Sequence, residues 1–444
     1  MLEKIFTWTK KKEEGEPEPV AGPPLHFGRY SDNNKPIEKV TRWNDADTLF
    51  KEKKWHQSID AFFDYLRDEE TGNVQHTKTE TGGTFLIYQG SKIIKGTYDN
   101  ANLQAEVALA QMVQPSVPVM RRLLEMNFTL YYGRYALHGD TLVMLFDSSI
   151  ETSNPSKLYY GLKELATKSD KQDDLLVQDF ASLITVDTEH IEELPKAEKE
   201  VKFKYFKKWI KDTIDLVNSV EADKFSGGIA YLLLALAYRI DFLIIPEGKL
   251  LLALEKIVDI YFRKDERPVA EKNGEMLDEF QKLLDKREDE FYPNLFRSRY
   301  TFSIVTPQNY KTIADAIYNA NQNIAWYKEA KHPEMAAQIS EYGIAYCQYS
   351  YSLPRPVTEL FLLFMMVNYG AFFDELGFKT AYYDGKSDTF NKDAITAAVE
   401  AIEQRWQPKY PELKIKADKL RFDSILAFNQ TFTTEVEYLN LETR

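Results

Sequence analysis

"LYYGRYALHGDTLVMLFDS" (residues 130–148) carries the most legible local structure in the chain. Gly139-Asp140 is a Gly-first two-residue loop, a type whose backbone twist matches that of the strands it joins in a tight hairpin. The register it sets pairs Leu137 with Leu142, Tyr135 with Met144 and Gly133 with Phe146. Strand side chains alternate faces. Tyr131, Tyr135, Leu137, Leu142, Met144 and Phe146 are therefore expected on one apolar face. Tyr132, Arg134, Ala136, Val143, Leu145 and Asp147 are expected on a mixed one.

Upstream, "SVPVMRRLLEMN" (116–127) reads as a helix with Ser116 as cap and Pro118 in the first turn. Three short strands precede it at 84–89, 92–99 and 103–113, separated by Gly90-Ser91 and Asp99-Asn100. Before them, "DADTLFKEKKWHQSIDAFFDYLRDEE" places Leu49, Ile59, Phe62, Phe63 and Leu66 at helical intervals, with Asn44 or Asp45 as cap. Downstream, "NPSKLYYGLKELATKSDKQDDLLVQDF" (154–180) is a long helix with Asn154 as cap, Pro155 first, and Leu158, Leu162 and Leu165 as its inner stripe.

Residues 186–200, "VDTEHIEELPKAEKE", read as an acidic connector. Beyond them almost every apolar pattern is helical, over 201–220, 226–242, 247–263, 275–290, 307–330, 333–351, 356–376 and 391–406. The tail, with "KIKAD" and "EVEYLNLE", is expected to add a short strand or two. Residues 9–38 are rich in Pro, Gly and charge and read as a linker that buries little. The expected organisation is a flexible tail (1–39), an α+β domain (40–185), the connector (186–200) and a mainly helical domain (201–444).

The order α-β-β-β-α-β-β-α over 44–182, with "LLEMNFTLYYGRYALHGDTLVMLFDS" leading into "NPSKL", resembles the type III secretion chaperone-like fold shared with YbjN-type domains. That resemblance implies an antiparallel sheet packed against helices. It also implies a protein that binds other proteins, often as a dimer, without catalysis. It covers about a third of the chain, and no invariant functional residue comes with it. A weaker echo of one tetratricopeptide-type hairpin lies at 46–66, with a break near Lys53-Lys54-Trp55. A lone unit of that kind cannot bury its face, so a single or kinked helix capping the sheet is the expectation there.

A net charge of -13 argues against nucleic acid as a partner, since phosphate binding needs a basic patch. The single cysteine, Cys347, cannot form an internal disulfide and reads as a buried small hydrophobe. No secretory signal or transmembrane segment is expected, because the apolar run 229–245 is interrupted by Arg239 and Asp241. The expected location is the cytoplasm. Leu2, Ile5, Phe6 and Trp8, beside Lys10, Lys11 and Lys12, read as a frayed terminus, with a docking peptide for a membrane surface or partner as the alternative.

No catalytic, cofactor or metal motif emerges. "DGKSDT" (384–389) ends like a phosphate loop but has Thr380 where the loop's first glycine belongs. His190 and its glutamates in "EHIEEL" match no zinc spacing, and Cys347 has no activating base nearby in sequence. The expected function is therefore non-catalytic protein binding, chaperone- or adaptor-like, with a homodimer allowed. Tyr132, Arg134 and Leu145 on the mixed sheet face, and Tyr349, Tyr351 and Arg355 around a Pro-Arg-Pro break, are the candidate partner contacts. The alternatives are an enzyme with its site in the helical half or at the domain interface, and a self-assembling scaffold subunit.

Overall fold

The computed structural model describes Pro23 and residues 25–31, 35–322, 324, 327, 332–379 and 382–443. The N-terminal peptide at Leu2–Lys12 and Thr380 lie outside these. The protein is α+β, an antiparallel sheet near the N-terminus followed by helices. Contacts divide it into two compact units, one of them Phe27–Thr358 and the other built mainly from Glu359–Arg444.

The first unit opens with two helices rather than one. Lys53 adopts a left-handed backbone (φ 60°), which ends α1 (Ile37–Lys51) before α2 (Trp55–Leu66) begins. The expected single or kinked helix is instead a helical hairpin, sealed by Trp43 against Tyr65 at 4.9 Å and Phe62 at 6.3 Å. Its first helix starts at Ile37, so Asn44 and Asp45 lie inside it and cap nothing.

The sheet has one strand more in its meander than the sequence suggests. β1 (Val74–Thr79), β2 (Gly82–Gln89), β3 (Lys92–Tyr98) and β4 (Asn102–Gln111) lead through α3 (Val117–Asn127) to β5 (Arg134–His138) and β6 (Thr141–Ser149). The strand order is β1-β2-β3-β4-β6-β5, with a two-residue β7 (Ile184–Thr185) paired to β4. β1 was missed because only Val74 of its six residues is buried, which hides the alternation of an edge strand.

The hairpin register holds at Leu137–Leu142 and Tyr135–Met144, and Gly139 has the positive φ (64°) that its turn demands. One expected pair and three burial expectations fail. β5 begins only at Arg134, so Gly133 does not pair with Phe146 and the alternation does not reach Tyr131, which is 92% exposed. Leu137 lies on the outermost strand and is also exposed, while Val143 of the mixed set is buried.

α4 (Pro155–Asp179) crosses the sheet. Asn154 caps it by accepting from the Lys157 N–H at 2.9 Å. Leu158, Leu162, Leu165 and Ala166 are buried in one cluster with Ile87, Ile94, Val107, Met144 and Phe146. Gly161 allows the close approach, since a Cβ there would come within 2.5 Å of the Phe146 ring.

After α4 the fold is nearly all helical: α5 (Lys196–Asn218), α6 (Ser226–Ile244), α7 (Gly248–Phe262), α8 (Val269–Asp285), the one-turn α9 (Glu288–Phe291), α10 (Tyr310–Gln322) and α11 (Pro333–Ser350). α6 is long and apolar enough to cross a membrane, but 89% of its most apolar window is buried inside the protein. Its two charges are buried and paired, Arg239 with Glu341 on α11 at 2.8 Å and Asp241 with Arg29. Cys347 is fully buried, and burial raises its thiol pKa. Segment 186–200 belongs to this unit: Glu192 and Glu193 pair with Arg297 and Phe296.

α12 (Arg355–Asn368) leads into the second unit, which holds α13 (Gly370–Glu375), α14 (Lys392–Trp406) and α15 (Ile425–Glu437). The tail forms α15 where strands were expected. Ser424 caps it, and Leu426, Phe428, Phe432 and Val436 bury its inner side. The buried Asn429 amide and the half-buried Asn368 amide bond reciprocally at 2.9 and 3.0 Å.

Met144→Asp should cost several kcal/mol, on the order of an unpaired buried charge, because Met144 is completely buried between β4 and β5. Arg134→Ala removes only an exposed pair with Asp147 and should cost about 0–1 kcal/mol. Chemical denaturation of both variants checks the facing, and equal losses would refute it.

Candidate functional site

The face of the sheet that carries Arg134 is partly exposed, with Tyr88 and Val143 on it buried. A row across the strands runs Gln75, Leu86, Lys95, Glu106, Leu145, Arg134, each in register with the next. Gln75, Lys95 and Arg134 are exposed, and Leu86, Glu106 and Leu145 are half-buried. The charges on this face pair locally: Arg134 with Asp147, Lys95 with Asp187 at 2.7 Å, and Glu106 with His138 at 3.1 Å. Tyr132 stands just before β5 and is 42% exposed.

β5 is an edge strand, but it is blunted. The Asn127 side chain accepts from the Tyr135 N–H at 2.7 Å and donates to the Tyr135 carbonyl at 3.2 Å, as a neighbouring strand would. Strand addition by a partner is therefore obstructed at the centre of this edge.

Beside that edge lies a surface the sequence reading missed. α3 buries Val119, Leu123 and Met126, yet Val117, Leu124 and Phe128, at spacings of seven and four, point to solvent. Phe128 and Tyr131 are each 92% exposed. The loop that carries Tyr131 is held in place. Glu164 of α4 accepts the backbone N–H groups of Tyr131, Tyr132 and Gly133 at 2.8, 2.7 and 2.9 Å. A groove of about 520 Å³ runs alongside, lined by Val117, Pro118, Arg121, Arg122, Glu125 and Phe180. Exposed bulky residues on a fixed backbone suit a docking surface, because little ordering entropy is lost on binding. The signal that could have revealed it is the second apolar stripe on α3.

Tyr349, Tyr351 and Arg355 lie on other elements. The Tyr349 ring packs on Tyr238 at 4.6 Å, with the Arg29 guanidinium 5.9 Å away. Tyr351 pairs with Thr306 and touches Tyr346 at 5.7 Å, and Arg355 is exposed at the start of α12. "DGKSDT" folds as a polar turn, in which Asp384 accepts from the Lys386 N–H at 3.0 Å and the Ser387 hydroxyl at 2.7 Å. Among the described residues, no group of three or more His, Cys, Asp or Glu side chains could hold a metal ion.

A second concentration of polar groups lies inside the first unit. Arg29, Asp170, Asp241, Glu247 and Tyr300 line a cavity of about 50 Å³. That is room for one or two waters at about 30 Å³ each, against the ~300 Å³ or more of an organic ligand site. Burial pushes the Glu247 carboxyl up to about 7 and the Asp170 carboxyl well above the usual range. Perturbed carboxyls of this kind also occur in catalytic sites, but this cavity is well below the size of an organic ligand site.

No protein-family model matches the chain, and neither does any curated protein.

Glu164→Ala should free the Tyr131–Gly133 loop while leaving the core intact. Charge-assisted bonds of this kind are worth about 1.5–3 kcal/mol each when buried and less at an exposed loop. Hydrogen exchange at the three amides should quicken at least tenfold, with the amides of β4 and β6 unchanged. Unaltered exchange at the loop would show that Glu164 does not hold it.

Proposed function

We propose that this chain is a non-catalytic, chaperone- or adaptor-like protein that holds another protein against the surface formed by α3, the loop 128–133 and β5. The observation that carries this reading is the pair of almost fully exposed aromatic rings, Phe128 and Tyr131, at a backbone tied to Glu164. Aromatic anchors on pre-organised backbone dominate the energetics of protein interfaces. Leu124 and Val117 extend the apolar area, and Tyr132 and Leu137 border it. The blunted edge favours side-chain docking over strand pairing.

The likeness of "LLEMNFTLYYGRYALHGDTLVMLFDS" to type III secretion chaperone-like and YbjN-type domains supports the same reading, since those proteins bind proteins. The second helix of the opening hairpin and the additional strand β1 are departures from that element order. Residence in the cytoplasm is part of the proposal and rests on the lone buried cysteine.

The test uses the full chain carrying Leu124→Ser, Phe128→Ser and Tyr131→Ser together. These side chains are exposed, so the stability should stay within about 0.5 kcal/mol of wild type. Wild type and variant are compared for capture of protein from the cytosol of the source cells, and for mass in solution. The reading requires that a specific protein be retained by the wild type and lost by the variant, at least tenfold. Equal capture by both would overturn the assignment of the surface. A change in self-association alone would assign it to a second copy of this chain.

A further inference from the structure

Five carboxylates converge where α4 meets the start of α7. Asp170, Asp173 and Asp174 come from α4, Asp241 from α6, and Glu247 from the residue before α7. Two buried or nearly buried cations face them, and each is already committed. Arg29, from the segment before α1, grips Asp241 through contacts of 2.5, 3.0 and 3.1 Å. Lys92 of β3 is fully buried, lies 2.8 Å from Asp173, and also donates to the carbonyls of Val186 and Leu109 at 3.2 and 3.3 Å. Among the described residues, Asp170, Asp174 and Glu247 have no ion-pair partner of their own, and feel Arg29 and Lys92 only as neighbours of other carboxylates.

The hydrogen bonds show the same shortage of protons. Asp170 accepts from the Ser91 N–H at 2.7 Å. The Ser91 hydroxyl lies 3.1 Å from Asp170 Oδ1 and 2.9 Å from Asp173 Oδ2. One hydroxyl proton cannot serve both acceptors, so a carboxyl that carries its own proton completes the set. Gly90 keeps this contact close: its φ is +55°, and a Cβ there would come within 2.0 Å of Asp170 Oδ1. The Tyr300 hydroxyl donates to Glu247. At Gly248, a Cβ would lie 3.7 Å from both Asp174 oxygens, so Asp174 abuts the first turn of α7.

We propose that Asp170, Asp174 and Glu247 form a proton-dependent joint between α4 and α7, which closes when these carboxyls are neutral and loosens when they ionise. Neighbouring carboxylates in a water-poor site cannot all be charged at once. Burial raises all three, Glu247 and Asp174 to about 7, and the neighbouring Asp173 and Asp241 charges add to the shifts. The folded protein then holds protons that the unfolded chain releases near pH 4. The stabilisation is complete below that value and is lost as pH rises through about 7.

Among the described residues, few other charged groups surround the joint. Lys249 of α7 is exposed and lowers Asp174 only weakly against burial. Lys171 and Glu255 form an ion pair between the same two helices at 2.9 Å. His190 contacts the Gly90 carbonyl at 3.2 Å and is held below its ordinary pKa by burial. Its protonation on acidification acts in the opposite direction, so the joint is read from differences between variant and wild type.

The experiment measures unfolding midpoints of the full chain from pH 5.5 to 8.5 for wild type, Glu247→Gln and Asp174→Asn, which keep the neutral form. Asp173→Asn is the opposite control, because it strands Lys92. At pH 8 the first two variants should melt higher than wild type by about 2–4 °C, with the gap narrowing to roughly half by pH 5.5, midway through the window from about 4 to about 7. Asp173→Asn should melt lower throughout. Hydrogen exchange, corrected for its intrinsic pH dependence, should lose protection at the start of α7 above pH 7 in wild type and not in Glu247→Gln. Lower midpoints for Glu247→Gln and Asp174→Asn at pH 8, or a gap that ignores pH, would overturn the joint. So would a rise in the wild-type midpoint at pH 8 on adding Mg2+ or Ca2+ that Glu247→Gln abolishes, since a cation would then be the neutralising species.

Discussion

Helix α4 sits directly on the sheet, with Gly161 against the Phe146 ring, and much of the first unit depends on that seating. The apolar stripe Leu158, Leu162 and Leu165 fills the space above β2, β3, β4 and β6. Such a close fit tolerates neither a larger residue nor a shift of register, because packed interiors leave no room for either. The residues that α4 carries on its other sides are therefore held in place by this seating.

Two polar assemblies use that placement. Glu164 faces the loop after α3 and holds three successive N–H groups. One and a half turns later Asp170 meets the Gly90-Ser91 turn, and Asp173 meets Lys92. The first assembly fixes aromatic side chains that stay in solvent. The second brings acids together where water is scarce. The same rigidity that presents a surface to a partner thus concentrates like charges inside, and that internal repulsion is relieved by protons.

The buried pair Arg239–Glu341 on α6 and α11 contrasts with that acid cluster. There each charge has a bidentate partner, so burial is compensated and no proton is required. The difference lies in cation supply. Arg29 and Lys92 reach the α4–α7 junction from residues far away in sequence, and each is used up by one carboxylate.

Local chemistry was enough to read much of the fold. The Gly139-Asp140 turn, the pairing of Tyr135 with Met144, the Asn154 cap and the stripe of α4 all depend on residues a few positions apart, and all are present. The α+β class follows from these periodicities. Other features turned on contacts that no local pattern encodes. The left-handed Lys53 that splits the first helix into a hairpin is one, and the edge strand β1 is another. Tyr131 was assigned to the core by alternation, yet Glu164, 33 residues later, captures its N–H and turns its ring into water. Asp170 and Glu247 are 77 residues apart and look like ordinary solvated acids in the sequence; only the packing of α7 against α4 strips their water and makes them share a cavity. Sequence determines what each segment prefers within a turn or a hairpin. Desolvation depends on which distant surfaces meet, and tertiary structure alone decides that.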